Sequence, residues 1–394
     1  MRISAGQNRQ AILAAALVLS SLATPARAEG VPAQETDDPL QVELVYTAEL
    51  NSNLSGGVQT GSRYLDNLDI TADIDLERLA GWSGARAHVY GLYNNGTAFS
   101  PLVGDSFVTS NIETGVRAFR LYEAWVDKTI GQSVSVRAGL YDLNSEFDAL
   151  ETSSLFLSSA HGIGTDISQT GENGPSIFPV TSLALRLAIA PADGWKVRLA
   201  VLDGVPGDPA RPARTAIKIG KQDGALIIGE VERSLGGGRI FAGYWQYTAE
   251  FDDLSGSRRK GNRGLYLRGE APLHDESGDT DQGLAAFFRL GVANGEINPF
   301  KAFASAGLVW TGPLHGRDED RLGLAYARAF SSASFIRQSL ARSSESSVEL
   351  TYRAPINGWL TIQPSLQYVI NPGALPGPRN AVVAALRLET ALGF

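Results

Sequence analysis

The last stretch of the chain, Ala381-Val382-Val383-Ala384-Ala385-Leu386-Arg387-Leu388-Glu389-Thr390-Ala391-Leu392-Gly393-Phe394, separates into two sets of side chains. Read backwards from Phe394, the apolar or small set is Leu392, Thr390, Leu388, Leu386, Ala384 and Val382, and the intervening set carries Arg387 and Glu389. A period of two describes a strand with one greasy face and one wet face. Ending on an aromatic residue with charge on the inner face, it fits the closing strand of a transmembrane β-barrel. The terminal strand of a soluble sandwich would alternate in the same way, so the rest of the chain has to separate the two.

At the other end, residues 1 to 28 read as an export signal. Arg2 and Arg9 give a basic start, Ala11 to Leu19 a short apolar core, and Ala26-Arg27-Ala28 a small-residue cleavage site. The mature protein is expected to begin near Glu29. Residues 29 to 39, acidic through Glu35, Asp37 and Asp38, read as a disordered periplasmic lead-in to a barrel domain over 40 to 394. No later apolar stretch approaches the roughly twenty residues that a membrane-spanning helix needs, which excludes a helical membrane protein. With no cysteine and 4 histidines, disulfide scaffolds, thiol chemistry and His- or Cys-built metal sites are not expected. The 43 glycines and the aromatic content suit turns, strands and interfacial girdles, and a net charge of -8 gives no reason to expect nucleic acid.

Alternating or β-rich segments recur at 41-50, 66-76, 84-93, 116-127, 133-142, 181-190, 195-202, 224-233, 239-249, 263-271, 283-292, 303-311, 321-329, 347-353, 359-369 and 381-394. These sixteen segments form an even set with both ends on one side, the arithmetic of a bacterial single-chain barrel wide enough for a water-filled channel. If the first strand rises from the periplasm, even-numbered connections are periplasmic turns and odd-numbered ones are external loops. The connections at 128-132, 191-194, 234-238 and 354-358 are short, and those at 94-115, 143-180, 203-223 and 331-346 are long. Connections 273-282 and 312-320 exceed an ideal turn. A soluble sandwich or propeller has no reason for such a rhythm.

The faces follow. Leu183, Leu185, Leu187 and Ile189 oppose Arg186; Val197, Leu199 and Val201 oppose Lys196 and Arg198; Val134, Val136, Ala138 and Leu140 oppose Arg137 and Tyr141. Leu265 and Leu267 oppose Tyr266, Arg268 and Glu270, and Val348, Leu350 and Tyr352 oppose Glu349, Thr351 and Arg353. An arginine or lysine on the lipid face near the midplane costs about 2 to 4 kcal/mol, so these charges belong in the lumen. Arg86 alternates there with His88 and Tyr90. In 116-127, Arg120 and Glu123 fall on opposite faces; Glu123 is assigned to the lumen and Arg120 to the outer end of its strand.

The connection 143-180 contains Phe147, Leu150, Leu155, Phe156, Leu157 and Ile163, apolar content poorly placed in water. Folded inward, it would narrow the lumen, with Asp142, Glu146, Phe147, Asp148 and Glu151 as constriction residues whose carboxylates face the barrel-wall arginines. An external lid of the Ω-loop kind is the alternative. Near the C-terminus, Gln363, Ser365 and Gln367 share a face that would present amides and a hydroxyl to water. Pro364 removes a ladder donor within that strand and predicts a local bulge.

Glu349-Leu350-Thr351-Tyr352-Arg353, followed by Trp359-Leu360-Thr361-Ile362-Gln363-Pro364-Ser365-Leu366-Gln367-Tyr368-Val369-Ile370-Asn371-Pro372-Gly373, resembles the C-terminal signature of the carbohydrate-selective porins, the OprB family. Leu121-Tyr122-Glu123-Ala124-Trp125, Arg137-Ala138-Gly139-Leu140-Tyr141-Asp142 and Arg263-Gly264-Leu265-Tyr266 match as well. The resemblance covers essentially the whole mature chain. It implies a sixteen-stranded channel in the outer membrane of a Gram-negative bacterium, passing mono- or oligosaccharides down their gradient with no cofactor. Arg86, Glu123, Arg137, Arg186, Arg198, Arg268, Glu349, Arg353, Gln363 and Gln367 are the candidate pore-lining residues. The expected partners are sugars, outer-membrane lipid and, through the strand ending at Phe394, the barrel-assembly machinery; monomer and homotrimer both stay open. A non-selective diffusion porin shares every one of these features except sugar preference. A barrel enzyme or secreted β-rich binding protein is the reading from another class, and no G-x-S-x-G setting or His-Ser-acid grouping supports the enzyme. Asp279, Asp281 and Gly283 faintly suggest a calcium loop but lack the terminal glutamate.

Overall fold

The computed structural model describes residues 38-275 and 282-394. The expected signal, residues 29-37 of the lead-in, and Asp279 and Asp281 lie outside them. The chain forms β1 (Leu40–Gly57), β2 (Gly61–Asp75), β3 (Ala85–Asn94), β4 (Ala118–Ile130), β5 (Val134–Tyr141), β6 (Ser182–Ala192), β7 (Trp195–Asp203) and β8 (Ala225–Leu235). It continues with β9 (Gly238–Tyr247), β10 (Arg263–Asp275), β11 (Gly283–Ala293), β12 (Phe300–Thr311), β13 (Arg321–Ser331), β14 (Ser344–Asn357), β15 (Leu360–Ile370) and β16 (Arg379–Gly393). Each strand pairs antiparallel with its chain neighbours, and β16 pairs back onto β1 to close a barrel of sixteen strands. Closure leaves no unpaired edge in lipid, where a free N–H or C=O has no water to bond.

The seam sets Glu49 opposite Arg387 and Leu50 opposite Leu386. Phe394 continues it: its N–H donates to Val42 O at 2.9 Å, and its carbonyl accepts from Val42 N–H at 3.1 Å. The start of β1 and the end of β16 therefore meet at the end of the barrel that carries the short connections, which in bacterial barrels faces the periplasm. The β4–β5, β6–β7, β8–β9 and β14–β15 connections are tight turns, while the β3–β4, β5–β6 and β7–β8 connections are long.

Three local expectations change. The first two strands run well past 50 and start well before 66, so their external connection is a short turn over Val58–Thr60. In β4 the ladder with β3 shifts between Tyr90 and Gly91, pairing Tyr90 with Glu123 and Gly91 with Leu121. That extra residue is a β-bulge, and it turns both Arg120 and Glu123 inward; both are buried. Pro364 produces no bulge. Its strand keeps an unbroken register with β16, and the ladder to β14 simply lapses between Thr351↔Ser365 and Ala354↔Ile362 without a shift. The missing donor costs two rungs, and the Thr351 hydroxyl donates to Pro364 O at 3.1 Å.

Outside, the lipid-facing set includes Leu185, Leu199, Val201, Leu265, Leu324, Leu350, Leu366 and Leu386, all exposed. Aromatics cap this band at both ends. Trp82, Trp195, Trp310 and Trp359 are exposed at the periplasmic rim, and Tyr64, Tyr244 and Tyr368 are exposed toward the external ends of their strands. Amphipathic rings are stable at that depth. Trp125 and Trp245 are instead buried inside.

Deleting Phe394 removes both bonds to Val42 and the aromatic tip of the seam. The expected result is a several-fold lower yield of the heat-modifiable folded form on unboiled gels, and a yield equal to wild type would show that the seam closes without it.

Candidate functional site

Two connections fold into the lumen. The β5–β6 connection (142-181) buries Leu143, Phe147, Leu155, Phe156, Leu157, Ile163 and Ile167, and the β3–β4 connection (95-117) buries Phe99, Leu102, Val103 and Phe107. They bond to each other: Asn111 N–H donates to Leu157 O at 2.7 Å, and Ser159 N–H donates to Val108 O at 3.0 Å. Only the first of these loops was anticipated as an inward element from the sequence.

The loops rest on a wall cut to receive them. The inward face of β13 is Gly323, Ala325, Ala327 and Ala329, and Ala325, Phe287 and Val309 pack against Leu155 and Phe156. A Cβ on Gly323 would approach Leu155 Cδ2 at 2.7 Å and Phe156 Cζ at 2.8 Å, distances that real side chains do not tolerate. Phe107, Ala160, Phe300 and Phe303 cluster with Ala327 and Ala329.

Polar clamps fix the rest. The Glu349 carboxylate accepts from Leu157 N–H at 2.8 Å, Ser158 N–H at 3.0 Å and Ser365 Oγ–H at 2.9 Å. Gln363 Nε2 donates to Leu155 O at 2.7 Å, and Gln367 Nε2 donates to Thr109 O at 2.8 Å. The face of β15 that the sequence offered to water thus holds the loops instead, because backbone carbonyls of the loops compete successfully for its amides. Glu270 accepts from Thr152 N–H at 2.8 Å, and Glu345 accepts from Ser106 N–H at 3.1 and 3.0 Å.

Opposite, β4 to β11 carry a lattice of arginines and carboxylates. Arg186 donates from Nη2 to Asp127 Oδ2 at 2.7 Å and from Nε to Glu146 Oε2 at 2.8 Å. Arg137 bonds the same Asp127 at 3.0 Å, lies 3.6 Å from Glu146 and stacks 3.7 Å above the Trp125 ring. Arg198 reaches Glu230 at 3.2 Å and Glu232 at 2.9 Å, while Arg268 meets Glu230 at 2.9 Å and covers the Phe241 ring at 3.8 Å. Arg289 joins Asp148 at 2.8 Å and also Asp166. These groups are nearly fully buried, and such pairs hold only because every charge has a partner.

Some sequence-predicted residues do other work. Asp142 faces no arginine: its Oδ1 accepts from Asn144 N–H at 2.8 Å, capping the turn Leu143–Ser145, and its Oδ2 accepts from Tyr122 Oη–H at 2.6 Å. Glu123 accepts from Trp125 Nε1 and from Asp142 N–H, each at 3.0 Å, so it tethers the loop's first residue. Phe147 is fully buried among Trp125, Tyr141, Leu143, Ile167 and Trp245, an anchor of the loop rather than its tip. Arg86 is half-buried, 5.9 Å from the Trp125 ring centre, and Arg353 lies 3.4 Å from Glu389. Glu151 keeps 80% of its side chain exposed while pairing with Arg239 at 3.1 Å. Among the described residues, Arg86, Glu151, Arg239, Arg353, Glu389, Asp73 and Lys196 are lumen charges that still meet water.

Arg289, Asp127, Glu230 and Arg239 were missed. Phe287, Arg289 and Gly291 alternate with Phe288, Leu290 and Val292, so the period of two applied to β11 would have found Arg289. Asp127 lies four residues beyond Glu123 on the same face, so counting by two from Glu123 would have found it as well.

Replacing Arg289 by alanine strands Asp148 and Asp166 in the interior, a loss of about 3 to 5 kcal/mol for a broken buried pair. The expected outcome is a loop cleaved at least tenfold faster by added protease with the barrel intact; unchanged cleavage would mean that Arg289 does not hold it.

His161, buried between Phe156 and Phe287, gives a pH dependence. Burial pushes its pKa from the ordinary 6.5 down to about 3. A released loop therefore binds a proton that the seated loop refuses, and seating is strongest above pH 6.5 and weakens as pH falls toward 3. Burial alone would raise the Glu146 carboxyl, but Arg137 and Arg186 outweigh it and hold the group down to about 2, so its contribution fades only in stronger acid. The ratio of proteolysis rates at pH 4.5 and pH 7.5 should be higher in wild type than in His161→Phe. The same acid sensitivity in His161→Phe would exclude His161 as its source.

The carbohydrate-selective porin (OprB) family model matches residues 59–392. Porin B of Pseudomonas aeruginosa is 25% identical over 399 aligned positions, covering 88% of this chain and 86% of that protein. Among solved structures, the high-pH structure of Pseudomonas putida OprB superposes with a TM-score of 0.81 at 21% identity, covering 90% of this chain and 94% of the other. A mutant of the Rh. blastica porin reaches 0.55 at 10% identity, covering 90% and 100%, and supports the barrel fold alone. These relatives are channels. With its closed barrel of sixteen strands and a family match across nearly all of the described residues, the chain belongs to the OprB family of carbohydrate-selective porins.

Proposed function

We propose that this chain is an outer-membrane channel through which small sugars diffuse passively down their gradient. On this reading residues 1-28 direct export and are removed, residues 29-39 lead in from the periplasm, and residues 40-394 form the channel in the outer membrane of a Gram-negative bacterium. The strand ending at Phe394 is the segment that the barrel-assembly machinery would engage.

The observation that carries the reading is the pairing of lumen charges. Arg239 is matched by Glu151 and Glu270, and Arg353 by Glu389, so the water-facing wall offers donors and acceptors side by side. A free ion meets attraction and repulsion at nearly the same place there. A sugar is neutral, and its hydroxyls can exchange weak bonds with both members of each pair, favourable enough for entry and weak enough for exit. The two loops reduce a lumen that sixteen strands would otherwise leave wide.

Liposome swelling separates sugar preference from general diffusion. Mono- and disaccharides are expected to enter faster than amino acids and anions of matched size. Equal rates for all solutes at matched size would make the protein a non-selective porin with the same fold.

A further inference from the structure

From Arg321 to Ser344 the sequence carries Arg321, Arg328, Arg337 and Arg342 and no aspartate or glutamate, in a chain of net charge -8. The stretch Pro299 to Gly316 likewise contains Lys301 and no carboxylate. Apart from Arg321, at the periplasmic end of β13, these cations belong to the external ends of β12 and β13 and to the connection between β13 and β14.

Arg328 is the unusual member. β13 alternates Ala325, Ala327 and Ala329 inside with Leu324, Tyr326, Arg328 and Phe330 outside, so Arg328 lies on the lipid-facing wall. It lies two residues beyond Tyr326, the midpoint of β13, and three short of Ser331 at the external end, from where its long side chain can snorkel to the headgroups. Its guanidinium lies 4.8 Å from the Phe330 ring centre, and its Nε is buried without an acceptor. Its pairing neighbours are Ala304 on β12 and Ser346 on β14, and Tyr326 Oη donates to Ser346 Oγ at 3.1 Å. Ala302, Ala304 and Ala306 form a low row on the outer face of β12 beside the taller Leu324 and Tyr326. Above it, Lys301, Arg337 and Arg342 are exposed, together with the apolar Ile336 and Leu340.

We propose that the external end of the β12–β14 outer wall binds phosphate groups of outer-leaflet lipid. Arg328 is the contact nearest the acyl chains, and Lys301 and Arg342 meet phosphates farther out. A guanidinium fork matches two phosphate oxygens, and the partly exposed Arg328 can offer its terminal Nη donors to such a headgroup. The alanine row admits an acyl chain close to the wall below. The proposal takes from the preceding section only that the barrel spans the outer membrane, and it concerns the surface opposite the channel.

Native mass spectrometry of the folded full-length mature protein in detergent tests it, using a bisphosphorylated lipid A and the same lipid stripped of both phosphates. Wild type should retain the phosphorylated lipid about tenfold more tightly than the stripped one, and Arg328→Gln should lose about that factor, as expected for one charge-assisted contact of roughly 1.4 kcal/mol. Ala304→Glu leaves every cation in place and sets a carboxylate beside Arg328; it should lose binding as well and decides the matter if Arg328→Gln does not fold. Sugar uptake by either folded variant should equal that of wild type, which separates this site from the channel. Equal retention of the two lipids by wild type would overturn the proposal. So would undiminished binding by Ala304→Glu, or a second copy of the chain covering the wall with no preference for phosphate.

Discussion

Closure of the backbone ladder between β1 and β16 is the constraint on which everything else depends. In lipid an unpaired strand edge has no solvent to bond, so the chain must bring Val42 and Phe394 together before any interior exists. Once the cylinder is closed, the period of two sorts each strand without further choice. Leucines and valines meet lipid, and the arginines of the lattice find carboxylates, while buried Arg120 donates to Pro212 O instead. The seam itself shows the rule, with Arg387 donating to Glu49 at 2.6 Å across the closing pair.

The interior is divided by material. On one side, β12 and β13 present small and apolar residues, Gly323, Ala325, Ala327, Ala329 and Phe303, and the two inward loops pack there as a soluble protein packs its core. On the other side, β4 to β11 present charge, and the β5–β6 loop reaches across to it through Glu146, Asp148 and Glu151. The loop is therefore held by burial on one flank and by ion pairs on the other. Neither flank would suffice alone: the apolar seat has no direction, and the ion pairs lose most of their strength if water enters.

Much of this was legible from the alternation. The faces of β5, β6, β7, β10 and β14 follow from counting by two, and the β5–β6 loop announced its burial through Phe147, Phe156 and Leu157. The β3–β4 loop was less legible because its apolar residues, Phe99, Leu102, Val103 and Phe107, are scattered among glycines and polar groups. The inward orientation of Arg120 beside Glu123 depends on a bulge, and a bulge leaves no mark in hydrophobic pattern. Gln363 and Gln367 illustrate another limit. Their face could be read, but an amide looks the same in sequence whether its partner is water or the carbonyl of Leu155 or Thr109.

The central claim is that the loops occupy the lumen and set its width. Polymer exclusion in planar bilayers measures that width directly, by finding the smallest polyethylene glycol that no longer reduces single-channel conductance. A variant in which residues 149-162 are replaced by a short glycine-serine bridge should admit larger polymers and conduct several-fold more than wild type. An unchanged exclusion size with the barrel still folded would contradict the account.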